Sequence, residues 1–150
     1  MPTYVGRQSV TAIIVSDGYV LMNLRDNKPE IWEPDRWSFI GGHVNEQETL
    51  LEALCREVQE ETGMSLFRNM FEPLMNYHYS GVNTITTLFL YKENLLRDAV
   101  IQCNEGVETR WFPIEQVTSG FGLKASDTNR LHDVTPEHVD VLRWFERCIH

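Results

Sequence analysis

Cysteine is scarce in this chain: three among 150 residues, with no C-x-x-C pair, so neither a disulfide framework nor a thiolate zinc site is written into it. Cys55, Cys103 and Cys148 are therefore expected to be reduced. Positive charge is scarce too, because 13 Lys and Arg against 22 Asp and Glu give a formal net charge of −9. No basic patch stands out, and nucleic acid is not an expected partner. No apolar run approaches membrane-spanning length, and residues 1–10, MPTYVGRQSV, do not resemble a signal peptide. By default these absences imply a cytoplasmic protein with no membrane partner. Repeats, low-complexity tracts and linkers are missing as well, so residues 1–150 are expected to form one domain, long enough for its own core. His43, His78, His132, His138 and His150 fall at no metal-ligand spacing such as H-E-x-x-H. Ser/His/Asp nucleophilic chemistry has no local support either.

What is present is concentrated in residues 41–64, GGHVNEQETLLEALCREVQEETGM. The segment opens on a glycine pair, where backbone can approach a ligand closely, and it closes at Gly63, a natural helix stop. Thr49 and Glu52 have the spacing of a capping box, which predicts a helix from Thr49 to Thr62. Leu51, Leu54, Cys55 and Val58 recur at three- and four-residue steps as one apolar stripe. Beside that stripe Glu57, Glu60 and Glu61 share a face. Like charges at this spacing repel, costing a few tenths of a kcal/mol per pair. A hard divalent cation such as Mg²⁺ would turn the repulsion into coordination, since it takes oxygen ligands and sits beside phosphates. Three glutamates alone read more simply as a solvated acidic face. Their neighbours overturn that reading.

Gly42, Glu48, Arg56, Glu57, Val58, Glu60, Glu61, Gly63 and Met64 fill every fixed position of G-x5-E-x7-R-E-U-x-E-E-x-G-U, with U a bulky aliphatic residue. The segment therefore resembles the signature of the Nudix hydrolases. One departure lies just before it: Ile40 stands where Nudix chains commonly carry proline, which predicts a less rigid approach to the glycine pair.

Elsewhere, residues 10–15 read as a buried strand, and Asp17-Gly18 as a hairpin turn leading to a returning strand at 19–22. Residues 25–34 read as a loop and 37–40 as a short strand. Beyond the helix, strands are predicted at 71–79, 84–91, 99–101 and 107–112, the second with a Leu88-Phe89-Leu90 run suited to cover on both faces. One helical turn is predicted at 114–117, and 119–134 reads as an irregular, candidate functional loop. A last helix should start at Thr135-Pro136, with Thr135 as N-cap and Val141, Leu142, Phe145, Cys148 and Ile149 as its apolar side. Hairpins plus separated helices imply an α/β fold, a mixed sheet with helices on its faces. The resemblance implies the same, a Nudix-like α/β/α sandwich.

As a family, Nudix enzymes hydrolyse a nucleoside diphosphate linked to a further group, cutting within the pyrophosphate. Carried over by motif position, Glu57, Glu60 and Glu61 would be metal ligands, with the Gly41 carbonyl beside them. Mg²⁺ is the implied cofactor, with Mn²⁺ as a substitute. Arg56 would orient a neighbouring carboxylate, Glu48 would make a structural or outer-shell contact, and Gly42 and Gly63 would be conformational. Many members add a glutamate from outside the signature, as ligand or base. Glu105, six residues before Trp111, is the candidate and Glu108 the competitor; the general base stays open among Glu105, Glu108 and Glu61. His43 could touch phosphate or face solvent. Trp32, Trp37, Tyr77 and Tyr79 could stack on a base, though aromatics in strands are more often core. The substrate is expected to be a small nucleotide: nucleoside triphosphates, dinucleoside polyphosphates and nucleotide sugars all remain open. A monomer or a homodimer fits equally. The competing reading is a nucleotide-sensing module that keeps the fold without catalysis. Such a module should lack a signature glutamate, and none is missing here.

Overall fold

Asp17 and Gly18 both adopt positive φ, 43° and 81°, the turn that an Asp-Gly pair predicts between antiparallel strands. Around that turn the first strands fold, in a computed structural model that describes residues 7–28, 34–78, 83–98, 101–126 and 130–148. In chain order they are β1 (Arg7–Ile13), β2 (Val15–Ser16), β3 (Tyr19–Leu24), β4 (Trp37–Ser38) and β5 (Ile40–His43). Next come α1 (Leu50–Thr62), a 3₁₀ turn (Arg68–Met70), β6 (Phe71–His78), β7 (Thr84–Tyr91) and β8 (Glu108–Pro113). The chain continues through α2 (Ile114–Thr118), β9 (Leu123–Lys124), β10 (Leu131–His132) and α3 (Pro136–Cys148).

Four strands form a mixed sheet in the order β5-β1-β7-β6, in which β1 and β7 run parallel and the outer pairs antiparallel. Along β1 the side chains alternate between two cores, as a strand's period of two requires. Val10 and Ala12 pack toward α1 with Ala53, Leu54 and Val58, whereas Ile13 packs toward α3 with Val139, Leu142 and Phe145. The apolar run of β7 divides likewise, Leu88 to the α3 side and Phe89 to the α1 side. Helices therefore cover opposite faces of a mixed sheet. A second sheet pairs β3 with β2 and β4 along one edge and with β8 along the other. Among the described residues no helix is long and apolar enough to cross a membrane.

The structure departs from the sequence reading in places. The run predicted as one strand at 10–15 breaks at Ile14, because the turn at Asp17 pulls the chain into β2. Residues 119–134 are not wholly irregular: β9 and β10 pair antiparallel there, too short to leave a periodic pattern. Thr135 precedes α3, yet its hydroxyl is buried without a hydrogen-bond partner; its carbonyl accepts the amides of His138 and Val139 instead. The buried side of α3 is His138, Val139, Leu142 and Phe145, so Cys148, which is exposed, leaves the apolar set. Ile101 lies in no strand, while Ala99, Val100, Ile149, Trp32 and Tyr79 lie outside the described residues. Cys55, Cys103 and Cys148 are free thiols.

Candidate active site

The capping box predicted for α1 is formed. Thr49 Oγ1 accepts the Glu52 amide at 3.2 Å, and the Glu52 carboxylate accepts the Thr49 amide at 2.9 Å. At the other end Gly63, with φ 77°, closes the helix by donating its amide to the Gln59 carbonyl. This fixes the rotation of α1. Its apolar side enters the core, and Glu57 and Glu61, only 5% and 3% exposed, are carried to the edge of the sheet.

Arg56 gathers the carboxylates. Its guanidinium holds Glu48 through two bonds of 2.7 and 2.9 Å, reaches Glu57 Oε1 at 2.9 Å and Glu60 Oε1 at 3.3 Å, and donates to the His43 carbonyl at 2.9 Å. The paired bonds to Glu48 use the fork geometry of an arginine, which lysine lacks. They hold the Glu48 carboxyl below its ordinary range. The guanidinium is thus shared among three glutamates.

The glycine pair lies in β5. Gly41 donates its amide to Glu61 Oε2 at 3.3 Å, and a Cβ at Gly41 would overlap the Val10 carbonyl oxygen. At Gly42 a Cβ would overlap the Glu57 carboxylate, so the missing side chain is the space that Glu57 occupies. The strand entering this pair is held by other means than the absent proline: Ile40 is fully buried and pairs with Ala12, and Phe39 donates its amide to His138.

Glu105 arrives from a loop laced to the end of α1. Gln102 and Asn104 donate their amides to the carbonyls of Thr62 and Glu60, both at 2.8 Å. Asn23 holds the Glu105 carbonyl at 3.1 Å from the other side, and Gly106 (φ 90°) lies against Asn23 where a Cβ would not fit. In consequence Glu57, Glu60 and Glu105 offer carboxylate oxygens that all lie within 4.8 Å of one another. Glu61 lies deeper, beside Glu57. Glu108 is elsewhere, accepting from Ser126 N and Oγ at 3.0 and 2.5 Å. His43 points from β5 with its imidazole pKa lowered by burial and then by the charges of Arg7 and Arg25. Trp37 is core, and Tyr77 is part-buried against the α3 side.

The electrostatics are those of too much negative charge in too little water. Burial, followed by the Glu57 charge, pushes the Glu61 carboxyl well up. Glu57 is raised chiefly by burial. Glu105 is raised to about 7, first by its hydrogen bond with Glu60 and then by burial. Glu57 Oε2 is buried without a hydrogen-bond partner. A buried acceptor with no donor, beside further carboxylate oxygens, is what a hard divalent cation would satisfy, and the donor set fits one.

Two contributors could not be found from the signature. Asn23, the one polar residue among the apolar neighbours of β3, ties Glu105 and Thr109 together, and Thr109 donates to the Glu61 carbonyl at 2.5 Å. Its polarity within YVLMNL was the available signal.

This geometry, a mixed sheet between helices with a carboxylate-lined helix against a glycine pair, defines a class, and comparison agrees. The family model of the NUDIX domain matches residues 6–145. The chain belongs to the NUDIX family and is a pyrophosphohydrolase of that family. Among its relatives is an 8-oxo-dGTP diphosphatase of Buchnera aphidicola, 27% identical over 100 residues, which span 67% of this chain and 72% of that protein. Another is the nucleoside triphosphatase NudI of Salmonella agona, 38% identical over 68 residues, or 45% of this chain and 47% of that one. Among solved structures, the MutT protein of Methanosarcina mazei superposes with a TM-score of 0.67 at 23% identity, covering 94% of this chain and 93% of that one. At that identity the likeness speaks for the fold.

Proposed function

We propose that this chain hydrolyses a nucleoside triphosphate between phosphorus atoms, releasing a nucleoside monophosphate and pyrophosphate. The observation that carries the reading is the convergence of Glu57, Glu60 and Glu105 from two separate segments, with Arg56 behind them. The names of the Buchnera and Salmonella relatives, both acting on triphosphates, support the substrate class.

Glu57, Glu60 and Glu105 would hold the cation, with the Gly41 carbonyl beside them. Glu61, deeper and beside Glu57, would join them in its charged form. When bound, Mg²⁺, or Mn²⁺ in its place, offsets the charge of the phosphate oxygens and polarises phosphorus toward water. Arg56 keeps the carboxylates aimed at one point and limits the repulsion among them. Glu105, with a pKa of about 7 and standing at the open side of the cluster, is suited to take the proton of the attacking water. Glu108, engaged by Ser126, is not.

The test is a panel of nucleoside triphosphates, dinucleoside polyphosphates and nucleotide sugars incubated with the protein and Mg²⁺, with products identified by phosphorus NMR. Monophosphate and pyrophosphate from a triphosphate are expected. Turnover confined to a nucleotide sugar or a dinucleoside polyphosphate would overturn the substrate class. Glu105→Gln should lower kcat about 100-fold or more and weaken Mg²⁺ affinity as well, as for a group that both holds the cation and takes the proton. A loss of rate with unchanged Mg²⁺ affinity would make Glu105 a base only, and a rate restored at saturating Mg²⁺ would make it a ligand only.

A further inference from the structure

His138, on α3, is 1% exposed and far in sequence from the signature, yet it touches the residue that leads into the strand carrying the glycine pair. Its Nδ1 accepts the Phe39 amide at 3.1 Å, and its ring stacks on Phe39 with centroids 4.3 Å apart. A backbone amide can only donate, so Nδ1 carries no proton. Burial, followed by the charge of Arg25, drives the imidazole pKa down to about 3, so the ring is neutral and its proton sits on Nε2. Nε2 then donates to Tyr77 Oη at 3.2 Å, leaving the Tyr77 proton for Thr11 Oγ1 at 3.1 Å. Thr11 is the residue opposite Gly41 in the ladder between β1 and β5. One imidazole thus holds Phe39, the residue leading into β5, directly and Thr11, on β1 opposite Gly41, through Tyr77.

We infer that His138 is a positioning residue for the carboxylate cluster, holding the backbone of residues 39–42 where Glu57 and Glu61 require it. The inference rests on the cation-binding reading above. Tolerance at this strand is small. Gly41 lies tight against Val10, its amide reaches Glu61 at 3.3 Å, and Gly42 leaves only the room that Glu57 fills. A shift of β5 by a few tenths of an ångström would disturb both carboxylates together. Core packing alone asks for an apolar residue at this depth, because an imidazole is costly to bury unless its nitrogens are bonded.

The test uses the full chain and Mn²⁺ alone, with affinity measured by titration calorimetry and folding checked by circular dichroism. His138→Leu should bind Mn²⁺ about 10-fold more weakly, the effect of losing an outer-shell support. In turnover assays it should lower kcat and leave KM unchanged. His138→Asn, which keeps an acceptor for the Phe39 amide, should recover most of the affinity. Tyr77→Phe keeps its ring and should weaken Mn²⁺ about fivefold, the effect of one lost hydrogen bond; it remains informative should the leucine variant fail to fold. Wild-type affinity in folded His138→Leu, or in Tyr77→Phe, would overturn the inference. A wild-type protein that binds no Mn²⁺ would instead remove the cation-binding reading itself, and the inference with it.

Discussion

Arg56 and Gly42 show how the site depends on single residues. Arg56 bonds Glu48, Glu57 and Glu60 at once, and Gly42 is the space in which the Glu57 carboxylate rests. A methyl group at Gly42 meets a side chain rather than backbone, so Gly42→Ala should fold while displacing Glu57. Calorimetry on that variant should show Mg²⁺ affinity reduced about 10- to 100-fold. His138 gives a separate pH signature. Its folded pKa, about 3, lies below the unfolded 6.5, so the unfolded chain takes up the proton first. The stability contributed by the neutral ring is present above pH 6.5 and is lost as pH falls toward 3. Denaturant unfolding of wild type, relative to His138→Asn, should weaken by about 1.4 kcal/mol per pH unit through that window. At this scale the sequence was legible where chemistry demands a spacing, as in Glu57, Glu60 and Arg56. It was silent on His138 and Asn23, whose partners are close only after folding. Glu105 and Glu108 could not be separated by spacing from Trp111; what separates them is that Ser126 engages one and the end of α1 receives the loop of the other.

Among the elements, α1 was the most readable, because its cap, stop and apolar stripe each leave a local mark. Thr49→Ala removes the acceptor for the Glu52 amide and should cost about 1 kcal/mol in denaturant unfolding. Since α1 also aims the glutamates, that variant should lose some Mg²⁺ affinity as well. Strands β6 and β7 were nearly as plain, their predicted bounds differing little from Phe71–His78 and Thr84–Tyr91. The β9–β10 pair was not, because two-residue strands have no period. Thr135 misled for a different reason: Thr-Pro is a common helix opening, but the buried hydroxyl bonds none of the amides it was expected to cap.

At the scale of the molecule, a net charge of −9 and a buried carboxylate cluster look unfavourable for binding polyphosphate. The raised carboxyls of Glu57 and Glu61 express that conflict, and a bound cation would resolve it. Without metal, the linkage sign is fixed by those raised values: the folded state holds its protons more tightly than the unfolded chain, so stability falls as pH rises through the folded values. Added Mg²⁺ should raise the melting temperature more at pH near 8 than near 6, because Glu105, raised to about 7, holds its proton at the lower pH and competes with the cation. The fold supplies the frame for this, two helices on opposite faces of a mixed sheet, with strand β5 and helix α1 meeting at the glycine pair. The most direct measurement is Mg²⁺-dependent turnover of a nucleoside triphosphate by wild type and Glu57→Gln side by side, with melting curves confirming that both are folded. Loss of turnover by at least about 100-fold in the variant, beyond the range typical of an outer-shell partner, is the expected result. Equal turnover in the two proteins, or turnover indifferent to Mg²⁺, would contradict it.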